Sequence, residues 1–266
     1  MNKYFLIVGL SLVISSCNES KQSNSDQSNQ PIEFEIAQEQ FSQHSEECKT
    51  KEQNGCATLK ASYPVLKSKD ENAKEILNAL NKNIYGIFAK VFKDFIPEGN
   101  LQENTPAEQL VGSFFKKHEK DQMQFEEKID YELLNDVSIV FYNNNIMSIA
   151  QTIMTYEGGA HPNTSICYKT FEMSSGDEIN VYKWLADTTA LKTEILAGLK
   201  EKMNMDSSTD LKEKGFFISD QELSITKEIL IEKDSISFLY NTYEIAPYAY
   251  GNFNITLPKS KVSLLD

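Results

Sequence analysis

Tyr131–Met173 reads "YELLNDVSIVFYNNNIMSIAQTIMTYEGGAHPNTSICYKTFEM". Tyr131 to Tyr142 and Ile146 to Tyr156 are two strand-like runs, joined at Asn143-Asn-Asn145 by residues that tolerate positive φ in a hairpin turn. Thr164 to Met173 makes a third run after "GGAHPN". Three consecutive runs with short connections are the pattern of an antiparallel sheet.

Upstream the period changes to that of helices. Ile76, Leu80, Ile84, Phe88, Val91 and Phe95 recur every three or four residues after Ser68-Lys-Asp-Glu71, a capping-box string, and Pro97 with Gly99 should stop that helix. Thr105-Pro-Ala-Glu108 starts a second helix, with Thr105 as cap, and it carries Leu110, Phe114 and His118 on one side. Before both helices, Ile32, Phe34 and Ile36 alternate with glutamates, and "CATLKASYPVL" reads as a strand ending near Pro64. Downstream, Asp187 or Thr188 caps a third helix with Leu191, Ile195, Leu199 and Met203 on one face. Strands follow around Phe216–Ile218, Ile229–Ile231, Ile236–Tyr240 and Phe253–Leu257. The fold class read from this order is α+β, a mostly antiparallel sheet with about three packed helices.

The N-terminus has a different composition. Lys3 precedes an apolar run from Tyr4 to Ile14, too short to span a bilayer and laid out as a secretory signal. It closes on Ile14-Ser-Ser-Cys17, the spacing of a bacterial lipobox, so residues 1–16 are expected to be cleaved and Cys17 acylated. Acylated Cys17 would make the lipid bilayer a partner; an ordinary cleaved signal is the alternative. The stretch 17–31, "CNESKQSNSDQSNQP", cannot bury enough surface to offset its ordering entropy and should act as a tether. About 235 residues remain, enough for one large domain or two small ones.

The chain carries 26 Lys and Arg against 39 Asp and Glu, a formal charge of −13. It has no basic stripe and no nucleic-acid motif, so no nucleic-acid partner is expected. In an exported protein Cys48 and Cys56, flanking "KTKEQNG", are expected to form a disulfide, leaving Cys167 unpaired. The three histidines, His44, His118 and His161, lie in dissimilar contexts and match no zinc spacing, so no metal or other cofactor is expected. Ser113-Phe-Phe-Lys116 and Ser224-Ile-Thr-Lys227 fit an SxxK string but lack its companion motifs.

"SYPVL" before a long helix, "YEGGAHPNT" after a hairpin, and "YEIAPYAYG" from Tyr243 to Gly251 occur in that order, with "FEMSSGDEI" and Trp184-Leu-Ala-Asp187 between the last two. Together they resemble the exported domains of unknown function 4163 and 3298. This pair accompanies the catalytic domain of PdaC-type peptidoglycan deacetylases and forms the extracellular part of a lysozyme-sensing anti-sigma factor. The resemblance divides the chain into a 4163-type part over 32–163 and a 3298-type part over 164–266. It implies an exported, lipid-anchored envelope module that binds or senses a peptidoglycan fragment or a lysozyme-like protein, without established catalysis. A cell-wall glycan-modifying enzyme and a purely structural lipoprotein are the alternatives.

The implied binding residues are Tyr156, Gly158, Gly159, His161 and Asn163 in the first motif and Tyr243, Glu244 and Tyr248 in the second. The two loops are expected to pack together as one site. Gly158 and Gly159 can adopt backbone angles other residues avoid, and His161 beside them can lock the turn, contact a ligand or act as a catalyst. His161 and Glu244 are the acid/base candidates of the enzyme reading, and Glu157 with Glu244 is the carboxylate pair a glycosidase would need.

Overall fold

A computed structural model describes residues 32–49, 55–96, 102, 104–124 and 128–265. The leader, Cys17 and the tether lie outside the described residues, as do Pro97 and Gly99. Six strands form a mixed sheet in sequential order: β1 (Glu35–His44), β2 (Ala57–Lys67), β3 (Tyr131–Tyr142), β4 (Ile146–Tyr156), β5 (Asn163–Glu172) and β6 (Glu178–Ile179). β2 and β3 are parallel; the other pairs are antiparallel. Between them run α1 (Lys74–Lys90) and α2 (Ala107–Gln124), the long connection that a parallel pair requires. α3 (Thr188–Lys202) precedes a second, antiparallel sheet of β7 (Glu228–Ile231), β8 (Ser235–Tyr240) and β9 (Phe253–Pro258). The class is the α+β expected, with its strands divided between two sheets.

Alternation explains which face is covered. Ala57, Leu59 and Ala61 of β2, and Leu133 and Val137 of β3, are buried against Leu80, Ile84 and Phe88 of α1 and Leu110 and Phe114 of α2. Asn135 shares that inward face and is fully buried. Its Nδ2 donates to the Phe88 carbonyl at 2.9 Å, and Gln151 Nε2 donates to both Asn135 Oδ1 (2.8 Å) and the Ile87 carbonyl (3.1 Å). α1 tightens into a 3-10 turn from Val91 to Phe95 just beyond these carbonyls. The sheet thus satisfies acceptors at the end of the helix. The second core packs Leu191, Ile195 and Leu199 of α3 against Ile236 and Phe238 of β8 and Phe253 and Ile255 of β9. A small cluster of Tyr168, Leu230 and Leu239, with Ala150 and Ile166 against it, joins the two sheets.

Several local expectations are corrected. Asp70, not Ser68, caps the first helical turn, accepting the Asn72 N–H at 2.9 Å. Thr105 turns its hydroxyl back to the Gln102 carbonyl at 2.9 Å. Asn143-Asn-Asn145 needs no positive φ, because Asn143 Oδ1 accepts the N–H groups of Asn145 and Ile146 at 2.8 and 2.9 Å. β2 continues through Pro64, opposite Gln38 of β1. Its pairing with β3 ends at Ser62, so at Pro64 the strand has a neighbour on one side only, where a missing N–H is tolerated. β1 begins at Glu35, later than Ile32 and Phe34, which pack against the core from outside the strand. Phe216–Ile218 is a loop following the left-handed Gly215, with Phe216 buried and Phe217 exposed. Asp187 caps α3, its carboxylate accepting from Thr189 and Ala190.

Cys48 and Cys56 are disulfide-bonded with their Cα atoms 4.7 Å apart. The bond ties the 3-10 turn after β1 to the start of β2. Cys167 is a free, half-buried thiol on β5; burial raises its pKa, and the Glu228 carboxylate adds to the rise.

Candidate functional site

β4 ends at Tyr156, and the chain must turn sharply to return as β5 at Asn163. Gly158 and Gly159 make that turn at φ +89° and +108°, the left-handed side that side chains avoid. A Cβ on Gly158 would lie 2.9 Å from Ile129 Cγ2. Tyr156 closes the turn by donating its hydroxyl to the Gly159 carbonyl at 3.1 Å. Asn163 re-enters the sheet opposite Thr155 and is exposed.

The Tyr243–Gly251 loop lies directly against this turn. His161 stacks on Tyr248, with ring centroids 3.6 Å apart and planes 16° apart. Pro162's carbonyl can only accept, so the 3.0 Å contact with His161 Nδ1 places a proton there. In the neutral ring Nε2 is then the acceptor for the Tyr243 hydroxyl, 3.2 Å away. Tyr248 donates to the same Pro162 carbonyl at 3.3 Å. Residues 82 and more positions apart therefore form one aromatic cluster, the juxtaposition expected from the two motifs.

Tyr243 is unusual within it. Its φ is +69°, a conformation costing a non-glycine residue roughly 1–2 kcal/mol, yet the residue is 53% exposed. The backbone cost presents a ring to solvent instead of filling a core. Phe217, which periodicity placed in a strand, is 51% exposed on a neighbouring loop, and its N–H donates to the Ile245 carbonyl at 2.9 Å. Tyr250 packs on Phe216 and donates its hydroxyl to the Lys214 carbonyl at 2.5 Å. Sequence reading missed Phe217 because a short apolar triplet carries no sign of which ring faces outward.

The two carboxylates have different settings. Glu244 turns back to accept the Asn241 N–H at 2.8 Å, bracing its own loop. Burial raises its pKa, the backbone bond opposes this, and Glu228 raises it further. Glu157 pairs with Lys117 at 2.5 Å, and Lys117 also reaches Asp121 at 2.8 Å and the Tyr131 hydroxyl at 3.0 Å. Tyr131 donates to Asp121 in turn. Burial alone would lower the Lys117 pKa, but its bonds to Asp121, Glu157 and Tyr131 outweigh this and hold it above the usual lysine value.

The remaining titratable candidates are dispersed. His118 is buried on α2, its Nε2 3.1 Å from Gln122 Nε2 and 3.3 Å from the Ile129 carbonyl, while His44 sits exposed at the end of β1. Ser113 is buried and donates to the Leu110 carbonyl of its own helix, whereas Lys116 is exposed. Among the described residues no three His, Cys, Asp or Glu side chains converge as a metal-binding group.

Comparison with known proteins finds two family matches along the chain, one over β2–β4 of the first sheet and one over α3 and the second sheet. A family described as "Deacetylase PdaC" matches residues 50–164, and one described as "Protein of unknown function (DUF3298)" matches residues 185–260. No curated protein matches the sequence. A DUF3298 family member from Bacteroides fragilis is 18% identical, with a TM-score of 0.59 over 85% of this chain and 91% of that one. A DUF3298 family protein from Pseudomonas aeruginosa is 13% identical, with a TM-score of 0.54 over 88% of this chain and 93% of that one. These likenesses show the fold alone. The chain joins a PdaC-family domain to a DUF3298-family domain, and its two characteristic loops meet at the His161 cluster.

Proposed function

We propose that this protein is a lipid-anchored module of the bacterial envelope that binds a peptidoglycan fragment or a lysozyme-like protein at the His161–Tyr243–Tyr248 surface, without catalysing a reaction. The observation that carries this reading is Tyr243, a mostly exposed ring held at a strained left-handed φ beside the His161–Tyr248 stack. Strain maintained by surrounding structure at a surface position is a mark of function. Amphipathic rings with free edges suit contact with sugar faces or a protein patch. The Cys48–Cys56 disulfide accords with an oxidising compartment, and the Cys17 lipobox supports anchoring. Among the described residues no helix is long and apolar enough to cross a membrane. The charge of −13 would speed encounter with a basic lysozyme at low salt.

The test is titration of the purified protein with muropeptides and with lysozyme at low and moderate salt. Saturable binding to one of them, weakened about tenfold by Tyr243→Ala, is expected for a ring at the centre of the contact. Absence of binding to both would remove both ligands.

A second reading is a glycan-modifying enzyme using His161 and Glu244, favoured by the raised pKa of Glu244. The bond from Asn241 N–H to its carboxylate supports a bracing role instead. Peptidoglycan turnover that survives His161→Ala and Glu244→Gln would discard both acid/base roles.

A further inference from the structure

The PdaC-type domain carries a second concave surface, built from elements the His161 cluster does not use. In the β1–β2 pairing Glu39 lies opposite Tyr63. Tyr63 meets Tyr85 of α1 edge-on, with centroids 5.4 Å apart and planes at 69°, and packs on the buried Phe88 at 4.4 Å. Tyr85 donates its hydroxyl to the Thr105 carbonyl at the entrance to α2, which fixes the ring from the other side. Phe41 and the first turn of α2, with Glu108, complete a cleft of about 340 Å³. That is the lower end of the range for small-ligand sites, enough for a single side chain or a short linear molecule.

The chemistry of the lining selects the sign of the ligand. Phe41, Tyr63 and Tyr85 are half-buried, and Glu39 and Glu108 stand exposed at the rim. Among the described residues no Lys or Arg lines the cleft and neither carboxylate is ion-paired. Aromatic faces present the negative side of their quadrupole, so rings and carboxylates attract the same kind of group. The positive end of the α2 dipole is worth roughly half a charge, and two carboxylates outweigh it. Burial first, then Tyr85, Glu39 and Glu108, push the pKa of the Tyr63 hydroxyl up to about 12.

We propose that this cleft binds an alkylammonium group, its apolar stem against Tyr63 and Tyr85 and its charge between Glu39 and Glu108. An apolar stem ending in a cation matches both halves of the lining, whereas an anion would meet two carboxylates and an uncharged sugar would leave them unpaired. A lysine side chain of a peptide and a free polyamine share this chemistry.

The test is NMR of the full chain in a nonionic detergent with ring-labelled tyrosines, the Tyr63 and Tyr85 signals being assigned from Tyr63→Phe and Tyr85→Phe. Tetralysine and spermidine are titrated separately, with a neutral N-acetylglucosamine tetramer and tetraglutamate as controls. Saturable shifts of the two rings with at least one cation are expected, and their affinity should fall about tenfold in Glu39→Gln/Glu108→Gln. A response to tetralysine alone would identify a peptide source, and one to spermidine alone a free polyamine. Both carboxylates are exposed, so this variant should keep its fold; Glu39→Gln alone provides the same comparison if it does not. No saturable shift with either cation, unchanged affinity in the variants, or an equal response to the neutral tetramer would overturn the proposal.

Discussion

At the scale of single residues the two adjacent glycines of the β4–β5 turn are not equivalent. Both need positive φ, but an added Cβ meets Ile129 Cγ2 at 2.9 Å from Gly158 and meets nothing within 4 Å from Gly159. Gly159→Ala is expected to lower stability by about 1 kcal/mol, the backbone cost alone, and Gly158→Ala by about 2 kcal/mol or more. Urea denaturation of the two variants checks the order; equal losses would show that Ile129 moves aside freely. Tyr243 offers the reverse experiment. Tyr243→Gly and Tyr243→Ala both lose the ring, but only glycine relieves the left-handed backbone, so the glycine variant should be more stable by about 1 kcal/mol. The need for positive φ was legible in the glycine pair. It was hidden at Tyr243, where residue type gives no hint of it.

At the scale of elements, Lys117 ties α2 to the end of β4 through Asp121, Tyr131 and Glu157. Burial would raise the Asp121 pKa, but the bonds from Lys117 and Tyr131 outweigh it and hold the carboxyl below its ordinary value of 3.8. Stability from that shift is complete above pH 3.8 and is lost as the pH falls through the lowered value. The raised Lys117 pKa contributes stability that is complete below its ordinary value of 10.5 and is lost at higher pH. Lys117→Met should therefore lose about 1–2 kcal/mol at neutral pH. It should also flatten the acid limb of the stability–pH curve measured by denaturant titration. Parallel curves for the variant and the parent would refute the coupling. The disulfide acts on a different element pair. Closing its short loop is worth roughly 2.5 kcal/mol in the chain-entropy model, so a thiol reductant should lower stability by about that amount.

At the scale of the whole molecule the two sheets meet at β5. β6 pairs only with Thr170 and Phe171, which leaves the earlier part of β5 without a strand on that side. Asn241 substitutes for one: its side chain accepts the Ile166 N–H at 2.8 Å and donates to the Ile166 carbonyl at 2.9 Å, while Glu228 accepts the Tyr168 N–H at 2.6 Å. Asn241→Ala would leave two backbone groups without partners, at a cost of about 2 kcal/mol. Faster amide exchange at Ile166 is the expected signature, and unchanged protection there would show that the joining cluster of Tyr168, Leu230 and Leu239 holds the edge alone.

The sequence by itself determined the long elements, though not every boundary and not the loop at Phe216–Ile218. β3 and β4 run over the residues that alternation marked, α3 begins after Asp187, one of the two expected caps, and the three helices bury their apolar stripes. Period and capping are local properties, and a single chain segment is enough to display them. Only tertiary structure decided how the strands divide between two sheets, which pair runs parallel, and that Asn135, Gln151 and Asn241 supply bonds to distant backbone. It also turned "YEGGAHPN" and "YEIAPYAYG" from two separated strings into one cluster around His161, and gave Tyr243 its strained backbone. Those facts depend on contacts between residues far apart in the chain, and no local pattern encodes them.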